Sequence, residues 1–190
     1  MKNKNKPNSR VSILGFSDLR SLCISALLCA AAVVIAYLCK FLTLNISIRI
    51  TFENMPIILC GYLFGPIPGL LCGLCADLVS TAVSQYGIGG LNPILTLGAG
   101  AVGFTAGAVS HWILKKGKES IRLLVSVFAA HIIGNIIIKS FGLWLYYRSP
   151  LPVLAIRIPQ YLAFAVIEFL LLSLILRSRG IRKALGGVGN

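Results

Sequence analysis

The feature that most constrains this chain is a pair of apolar segments that fold back on each other around a Gly-Pro-Ile-Pro-Gly break at residues 65–69. The segment before the break, residues 50–64, would span roughly 22 Å as a helix, whereas the hydrocarbon core of a bilayer is about 30 Å thick. Irregular backbone beside such a short membrane helix is tolerated only where protein or a water-filled cavity surrounds it. The sequence therefore predicts a small-molecule site at membrane depth, and with it a binding or transport protein.

Composition places the rest of the chain in lipid as well. Of the 190 residues, 57% are hydrophobic and 12% are charged, and the mean hydropathy is +0.88. These values exclude a soluble domain and a disordered chain. We predict an all-α integral membrane bundle of about six transmembrane helices. The predicted helices cover residues 21–44, 50–64, 67–84, 94–114, 121–146 and 151–176.

Basic residues, which give the chain a net charge of +13, are concentrated beside the apolar segments. They form three clusters, one in each tail and one between the fourth and fifth helices: Lys2, Lys4, Lys6, Arg10 and Arg20; Lys115, Lys116, Lys118 and Arg122; Arg177, Arg179, Arg182 and Lys183. Such clusters mark the cytoplasmic side of a membrane protein, so their position argues against a nucleic-acid partner.

The same charges predict a multi-pass protein of the cell membrane with both termini in the cytoplasm. We expect a basic cytoplasmic tail at residues 1–20, a six-helix membrane domain at 21–177 with its substrate pocket on the outer side, and a basic cytoplasmic tail at 178–190. The first helix lacks a small-residue cleavage site after it, so we expect it to be retained and not removed as a signal peptide.

The sequence offers little support for an enzyme or a cofactor. The six cysteines lie in apolar segments, and the single Cys-x-x-Cys, Cys72 to Cys75, has no second pair, so we interpret them as packing residues and predict no metal and no cofactor. No Gly-rich phosphate loop is present, and no Ser/His constellation lies at membrane depth. We therefore predict a non-enzymatic transport subunit whose energy comes from a partner or an ion gradient.

Polar residues on the fifth and sixth predicted helices indicate a face that lines the interior. His131, Asn135 and Lys139 follow one another at intervals of one helical turn. Gln160 and Tyr161 on the sixth helix are expected to join this face. Charged side chains at membrane depth are costly, so such a stripe is expected to face a cavity or a partner.

Several cations are expected in the outer half of the bundle. Lys40, Arg49 and Arg148 lie near the outer surface on the inferred topology, and Lys139 and Arg157 lie about two turns deeper. Together they would attract an anion. The alternative is that these long side chains reach the membrane interface and serve no ligand.

The acids of the membrane segments are few. Glu53 begins the second helix, Asp77 lies in the middle of the third, and Glu168 lies deep in the sixth. Asp77 is either a ligand or proton-carrying group, or one half of an internal ion pair with a base such as Lys139 or Arg157, which is the preferred interpretation. In the alternative function, a stand-alone secondary transporter or channel, Asp77 or Glu168 would couple transport to an ion gradient.

Small residues at intervals of four predict close helix contacts. Ala26 and Ala30 on the first helix would serve either a partner or the bundle itself. Three glycine pairs are expected to pack the second, third and fourth helices within the bundle: Gly61 and Gly65, Gly69 and Gly73, Gly103 and Gly107. Asn92 and Pro93 predict an extended turn that enters the fourth helix.

Taken together, these residues resemble the substrate-binding S components of energy-coupling factor (ECF) vitamin transporters, particularly the folate-type group. The resemblance covers about residues 20–177, and Ala26 and Ala30 match the helix 1 signature of such proteins. The matching motifs are RITFENMPI at 49–57, LFGPxxG at 63–69, GLxADL at 73–78, GxxxxG at 98–103 and RIPQYL at 157–162.

The resemblance implies a vitamin-binding six-helix bundle, gated by the loops after the first and third helices. It implies docking through Ala26 and Ala30 onto a transmembrane T subunit, with two ATPase subunits driving import. It makes Arg49, Asn92 and Arg157 pocket or gate candidates. The YGIGGLNPILTL loop at 86–97 departs from folate-type members, because it has a single Tyr and no Phe or Trp to stack on a pterin. The expected cargo is folate or a related anionic micronutrient.

Overall fold

The computed structural model describes residues 19–41, 52–83, 92–114, 118–147 and 151–178. These ranges form six helices, and each overlaps one of the predicted ones, which confirms the all-α prediction. The helices are α1 (Leu19–Phe41), α2 (Asn54–Phe64), α3 (Pro66–Ala82), α4 (Pro93–Ala108, extended by the π-helical turn Val109–Ile113), α5 (Glu119–Ala130, π-helical His131–Lys139 and Ser140–Tyr147) and α6 (Leu151–Arg177).

The outside of the bundle is apolar, as expected for a protein surrounded by lipid. Large hydrophobic side chains such as Leu27, Leu97, Trp112 and Leu174 are exposed. Four helices, α1, α4, α5 and α6, are long and apolar enough to cross a membrane. The 11 residues of α2 span only about 16 Å, so this helix is short, as the sequence predicts.

The reversal between α2 and α3 takes a single residue, Gly65. Its φ of 105° belongs to a backbone region that L-residues with a side chain rarely adopt. Pro66 follows at the first position of α3, where its missing N–H costs no hydrogen bond. The Gly-Pro pair therefore turns the chain sharply enough for α2 and α3 to pack directly on each other.

The centre of the bundle is a contact of bare backbones among α2, α3 and α4. A Cβ on Gly103 would collide with the backbone carbonyl of Gly69, and a Cβ on Gly61 or Gly69 would collide with the carbonyl oxygen of Gly103. Gly73 and Gly107 make contacts of the same kind with α4 and with the start of α3. The predicted packing of these three helices through glycine is confirmed for Gly61, Gly69, Gly73, Gly103 and Gly107; Gly65 serves the turn instead, since nothing lies within 4 Å of its missing Cβ.

The remaining helices pack around this centre. α1 packs against α2 and α3, α5 packs against α4, and α6 packs along α5. At the C-terminal end of α2, the Arg122 guanidinium donates through Nε and Nη2 to the Tyr62 hydroxyl at 3.1 and 3.0 Å and lies over the ring. This contact ties α2 to the start of α5, at the end of the bundle opposite the cavity described next.

Candidate functional site

A small cavity lies toward the end of the bundle where α1 and α3 end and α2 and α4 begin. It has a volume of about 10 Å³, which is roughly the space for one water molecule. Its walls come from α1, the start of α2, α3, α4 and α5: Ala32, Ala36, Glu53, Ile57, Ala76, Asp77, Ser80, Ala99 and Lys139. Three charged side chains thus meet in a chamber whose other walls are mostly small and apolar.

Lys139 is the buried cation of the cavity. Its side chain is 10% exposed, and its ammonium lies 3.9 Å from Glu53 Oε1. That separation is too long for a hydrogen bond, and within the described residues the ammonium makes no hydrogen bond. A buried ammonium is stabilised by each hydrogen bond that it donates. The Lys139 ammonium can therefore donate a hydrogen bond to an acceptor on a ligand.

A glycine on α4 gives the Lys139 side chain its path into the cavity. A Cβ on Gly98 would lie 2.6 Å from Lys139 Cγ. Any side chain at this position would therefore push the lysine stem aside. The sequence motif at 98–103 includes this glycine, but its relation to Lys139 depends on the rotation of α4 against α5 and was not predicted.

Asp77 is held by a hydroxyl from α4. Thr96 Oγ1 donates to Asp77 Oδ2 at 2.7 Å, and among the described residues Asp77 Oδ1 has no hydrogen-bond partner. The preferred ion pair of Asp77 with Lys139 is wrong, because α4 lies between α3 and α5 and supplies Thr96 instead, while Lys139 has Glu53 as its nearest acid. The side chain of Arg157, the other suggested partner, lies outside the described residues.

Among the described residues, the cavity is lined by one more carboxylate than ammonium. Glu53 and Asp77 face it together with Lys139. An excess of negative charge in a mostly apolar chamber repels an anionic group and favours a neutral group rich in N–H donors. The predicted cations Lys40, Arg49 and Arg148 lie outside the described side chains, so their contribution to the electrostatics stays a prediction.

His131 and Asn135 do not line this cavity but form a separate buried network with Glu168. His131 Nε2 lies 2.8 Å from Glu168 Oε2, and Asn135 Nδ2 lies 3.0 Å from His131 Nδ1. All three side chains are fully buried, and the Tyr161 ring lies 6.1 Å from the imidazole. The predicted polar stripe thus faces the bundle interior along the π-helical part of α5, and Lys139 is the member that reaches the cavity.

Asn92 begins α4 at the cavity end of the bundle. Its backbone is extended, with φ −112° and ψ 110°, and its Oδ1 accepts from the Ile94 N–H at 3.0 Å. The predicted extended turn into α4, with Pro93 at the first helical position, is confirmed. Its buried Nδ2 has no partner in the part of the chain that the structure describes. The role of Asn92 as a gate residue stays a prediction.

The other predicted site residues are scattered. Gln160 is half-buried on α6, and Arg157 is helical but its side chain is not described. Arg49 lies outside the described residues. Ala26 and Ala30 are exposed on one face of α1, where a second helix can approach them. Their docking role stays a prediction.

Comparisons with known proteins give a family and a fold. The family model described as the substrate-specific component of ECF transporters matches residues 20–178. No curated protein matches the sequence. The structure is similar to a crystal structure of FolT bound with folic acid, with a TM-score of 0.63 and 23% sequence identity over 80% of this chain and 90% of that one. At this identity the likeness to FolT establishes a shared fold.

Proposed function

We propose, for a chain that belongs to the family of ECF transporter substrate-specific components, that its cargo is folate or a closely related vitamin. The observation that supports this cargo most directly is the mixed-charge cavity formed by Glu53, Asp77 and Lys139 at one end of the bundle. FolT, whose fold this chain shares, is described as bound with folic acid. Folic acid combines a flat neutral head, rich in N–H donors, with an anionic tail.

Binding such a molecule requires the cavity to widen. Pockets for ligands of this size have volumes of about 300–1,000 Å³, far above the 10 Å³ of the described cavity. We propose that the loops after the first and third helices gate the entry of the vitamin, as the resemblance to S components implies. Arg49 and Arg157 are proposed to bind the carboxylates of its tail, since guanidinium groups bind carboxylates in bidentate fashion.

The proposed assembly places the chain in the cell membrane with both termini in the cytoplasm and the cavity toward the outer side. Its partners are proposed to be a transmembrane T subunit and two ATPase subunits, which hydrolyse ATP while this chain does not. The basic residues beside the helices support this orientation. The family to which the chain belongs supports the division of labour.

Calorimetric titration tests the cargo. The detergent-solubilised protein, stripped of copurifying ligand, would be titrated with folic acid, riboflavin, thiamine, biotin and pantothenate. We expect one-to-one binding of folic acid with a dissociation constant on the order of nanomolar and no comparable binding of the others. Tight binding of another vitamin would refute folate as the cargo but would still support the proposal that the chain is a vitamin-binding subunit. No binding across the panel, with uptake in cells that lack the ATPases, would favour a stand-alone transporter.

Bulk on the exposed face of α1 is expected to prevent assembly. The variant Ala26→Leu/Ala30→Leu should lose copurification with the T and ATPase subunits and lose folic acid uptake, because leucine keeps a partner helix away from the backbone. Folic acid affinity should not change, since neither residue lines the cavity. Leu27→Phe, which adds bulk to an already large exposed side chain of α1, serves as the control. Intact assembly of the double variant would remove the docking role.

Filling Gly98 is expected to weaken folic acid binding. The methyl group of Gly98→Ala would displace the Lys139 stem, so affinity should fall by about tenfold, the effect of losing one charge-assisted hydrogen bond. Gly100→Ala on the same helix is the matched control, because its Cβ would meet the flexible Leu74 side chain at 3.0 Å and the Leu70 carbonyl oxygen at an ordinary contact distance of 3.5 Å. Titration of both purified variants with folic acid measures the difference in affinity. Equal affinities would show that bulk at Gly98 does not affect ligand binding.

A further inference from the structure

The geometry points to Asp77 and Lys139 as a pair that recognises one edge of a 2-amino-4-oxopyrimidine ring, an inference that rests on the proposed function. That edge presents a carbonyl oxygen, a ring N–H and an amino group in a row. The pterin head of folic acid presents it, and so does guanine. We infer that the head of the vitamin enters the cavity first, with this edge spanning from α5 to α3.

Lys139 supplies the donor for the carbonyl oxygen. Within the described residues, the ammonium has one acidic neighbour, the Glu53 carboxylate at 3.9 Å, and nothing accepts a hydrogen bond from it. Its side chain is nine-tenths buried and lines the cavity, so a ligand oxygen that enters there meets a desolvated donor. Glu53 remains beside the ammonium to balance its charge when the neutral ring is bound.

Asp77 supplies the acceptors for the two N–H groups. The Thr96 hydroxyl donates to Oδ2 at 2.7 Å and thereby fixes the plane of the carboxylate. A carboxylate has about four acceptor sites, so Oδ1 and the second lone pair of Oδ2 remain for a ligand. Two parallel N–H groups from one planar ring match a carboxylate in bidentate fashion, as a guanidinium does.

The remaining walls are small and apolar, so the cavity, once widened, would offer apolar surfaces to the faces of a flat ring. Ala36, Ala76 and Ala99 are small, and Ile57 adds an apolar surface between the charged groups. Polar groups at the edge of a chamber with apolar walls are typical of heterocycle sites. The reverse orientation, with the glutamate tail inside, would place ligand carboxylates beside Glu53 and Asp77. Like charges in an apolar chamber repel strongly, so the tail is expected to stay outside.

Paired deletions on the ligand and on the protein test this assignment. The ligands are folic acid, its 2-desamino-2-methyl analogue, which lacks the amino donor, and its 4-thioxo analogue, in which sulfur is a weak acceptor. The protein variants are Asp77→Asn and Lys139→Met, both close in size to the native side chains. Leu78→Ala, at a lipid-exposed neighbour of Asp77, is the matched control.

The wild-type protein and the control should bind each analogue about 10- to 100-fold more weakly than folic acid. Asp77→Asn should bind folic acid and the desamino analogue about equally and keep its discrimination against the thioxo analogue. Lys139→Met should show the opposite pattern. A loss that is equal for all three ligands would indicate a structural role of the residue and would overturn its assignment. Lys139→Gln serves as a second substitution at this position. Thermal melting of each variant confirms that the titrated proteins are folded.

The outcomes separate this inference from the proposed cargo. If folic acid binds and neither variant changes its affinity or its discrimination, the edge assignment is overturned while the vitamin stands. If guanine binds with the same dependence on Asp77 and folic acid does not, the edge assignment stands and the vitamin is wrong. If neither folic acid nor guanine binds the wild-type protein, both are overturned.

Discussion

Replacing Gly103 with valine is expected to abolish the folded bundle. The Cβ alone would collide with the backbone carbonyl of Gly69, and the backbones of α2 and α3 cannot move apart without losing their contacts with α4. Helix association in lipid depends on close packing, because water is absent and the hydrophobic effect does not drive it. Overpacking of this kind costs about 3 kcal/mol or more, a large part of the stability of a typical domain.

The measurement is the yield of monodisperse protein after detergent extraction, followed by thermal melting. Gly103→Val should give aggregated or degraded protein, and Gly103→Ala a folded fraction with a clearly lower melting temperature. Gly100→Ala, three residues earlier on the same helix, should stay near the wild type because it meets a side chain that can rotate away. A Gly103→Val protein that melts within a few degrees of the wild type would show that the three helices do not cross at this point.

The spacing of small residues in the sequence was sufficient to predict where helices α2, α3 and α4 contact one another. Intervals of four small residues place them on one face of a helix, so Gly69 and Gly103 were expected at helix contacts whatever the rotation of the other helices. Gly65 has the same spacing from Gly61 but serves the turn, with φ 105° and no atom near its missing Cβ. The proline after it could have signalled that role, since Gly-Pro pairs mark turns.

The partners of charged residues were harder to predict than the helices. Hydropathy gives the length of each membrane segment, but the rotation of a helix about its axis decides which charges meet. Asp77 is predicted to pair with a base such as Lys139 or Arg157. The structure instead places Thr96 beside Asp77 and Glu53 beside Lys139, and the Arg157 side chain lies outside the described residues. Both charges still line one cavity, so their shared location could be inferred from charge at membrane depth, while their pairing required the packing of α4 between α3 and α5.

Removing His131 while Glu168 remains is expected to destabilise the protein strongly. In the observed orientation Asn135 Nδ2 donates to His131 Nδ1, so the imidazole carries its hydrogen on Nε2 and donates it to Glu168 Oε2 at 2.8 Å. The variant His131→Leu would leave a fully buried acid with neither oxygen hydrogen-bonded in the part of the chain described, since Oε1 already has no partner there. Loss of one member of a buried pair costs about 3–5 kcal/mol.

The double variant His131→Leu/Glu168→Met tests whether the loss of stability comes from the unpaired buried acid. Replacing both members by apolar groups of similar size removes the unsatisfied acid, so it should recover most of the stability that the single variant loses. The free energy of unfolding, measured by denaturant titration in mixed micelles, tests this for the wild type, both single variants and the double variant. A His131→Leu protein whose free energy of unfolding lies within about 1 kcal/mol of that of the wild type would contradict the expectation, because breaking a buried pair costs more than this.

The same four proteins show what the buried pair does for transport. The network lies outside the cavity lining, so a stable double variant should still bind folic acid with nearly wild-type affinity and, with its partners present, still import it. That result would make the pair an element of α5–α6 packing. If the stable double variant bound folic acid but no longer imported it, the pair would be needed after binding. Intramembrane acids and histidines that exchange a proton are the known physical means for such a step. Import by the wild type without the ATPase subunits would then favour coupling to a proton gradient, whereas strict dependence on ATP would place the pair in the release of the vitamin.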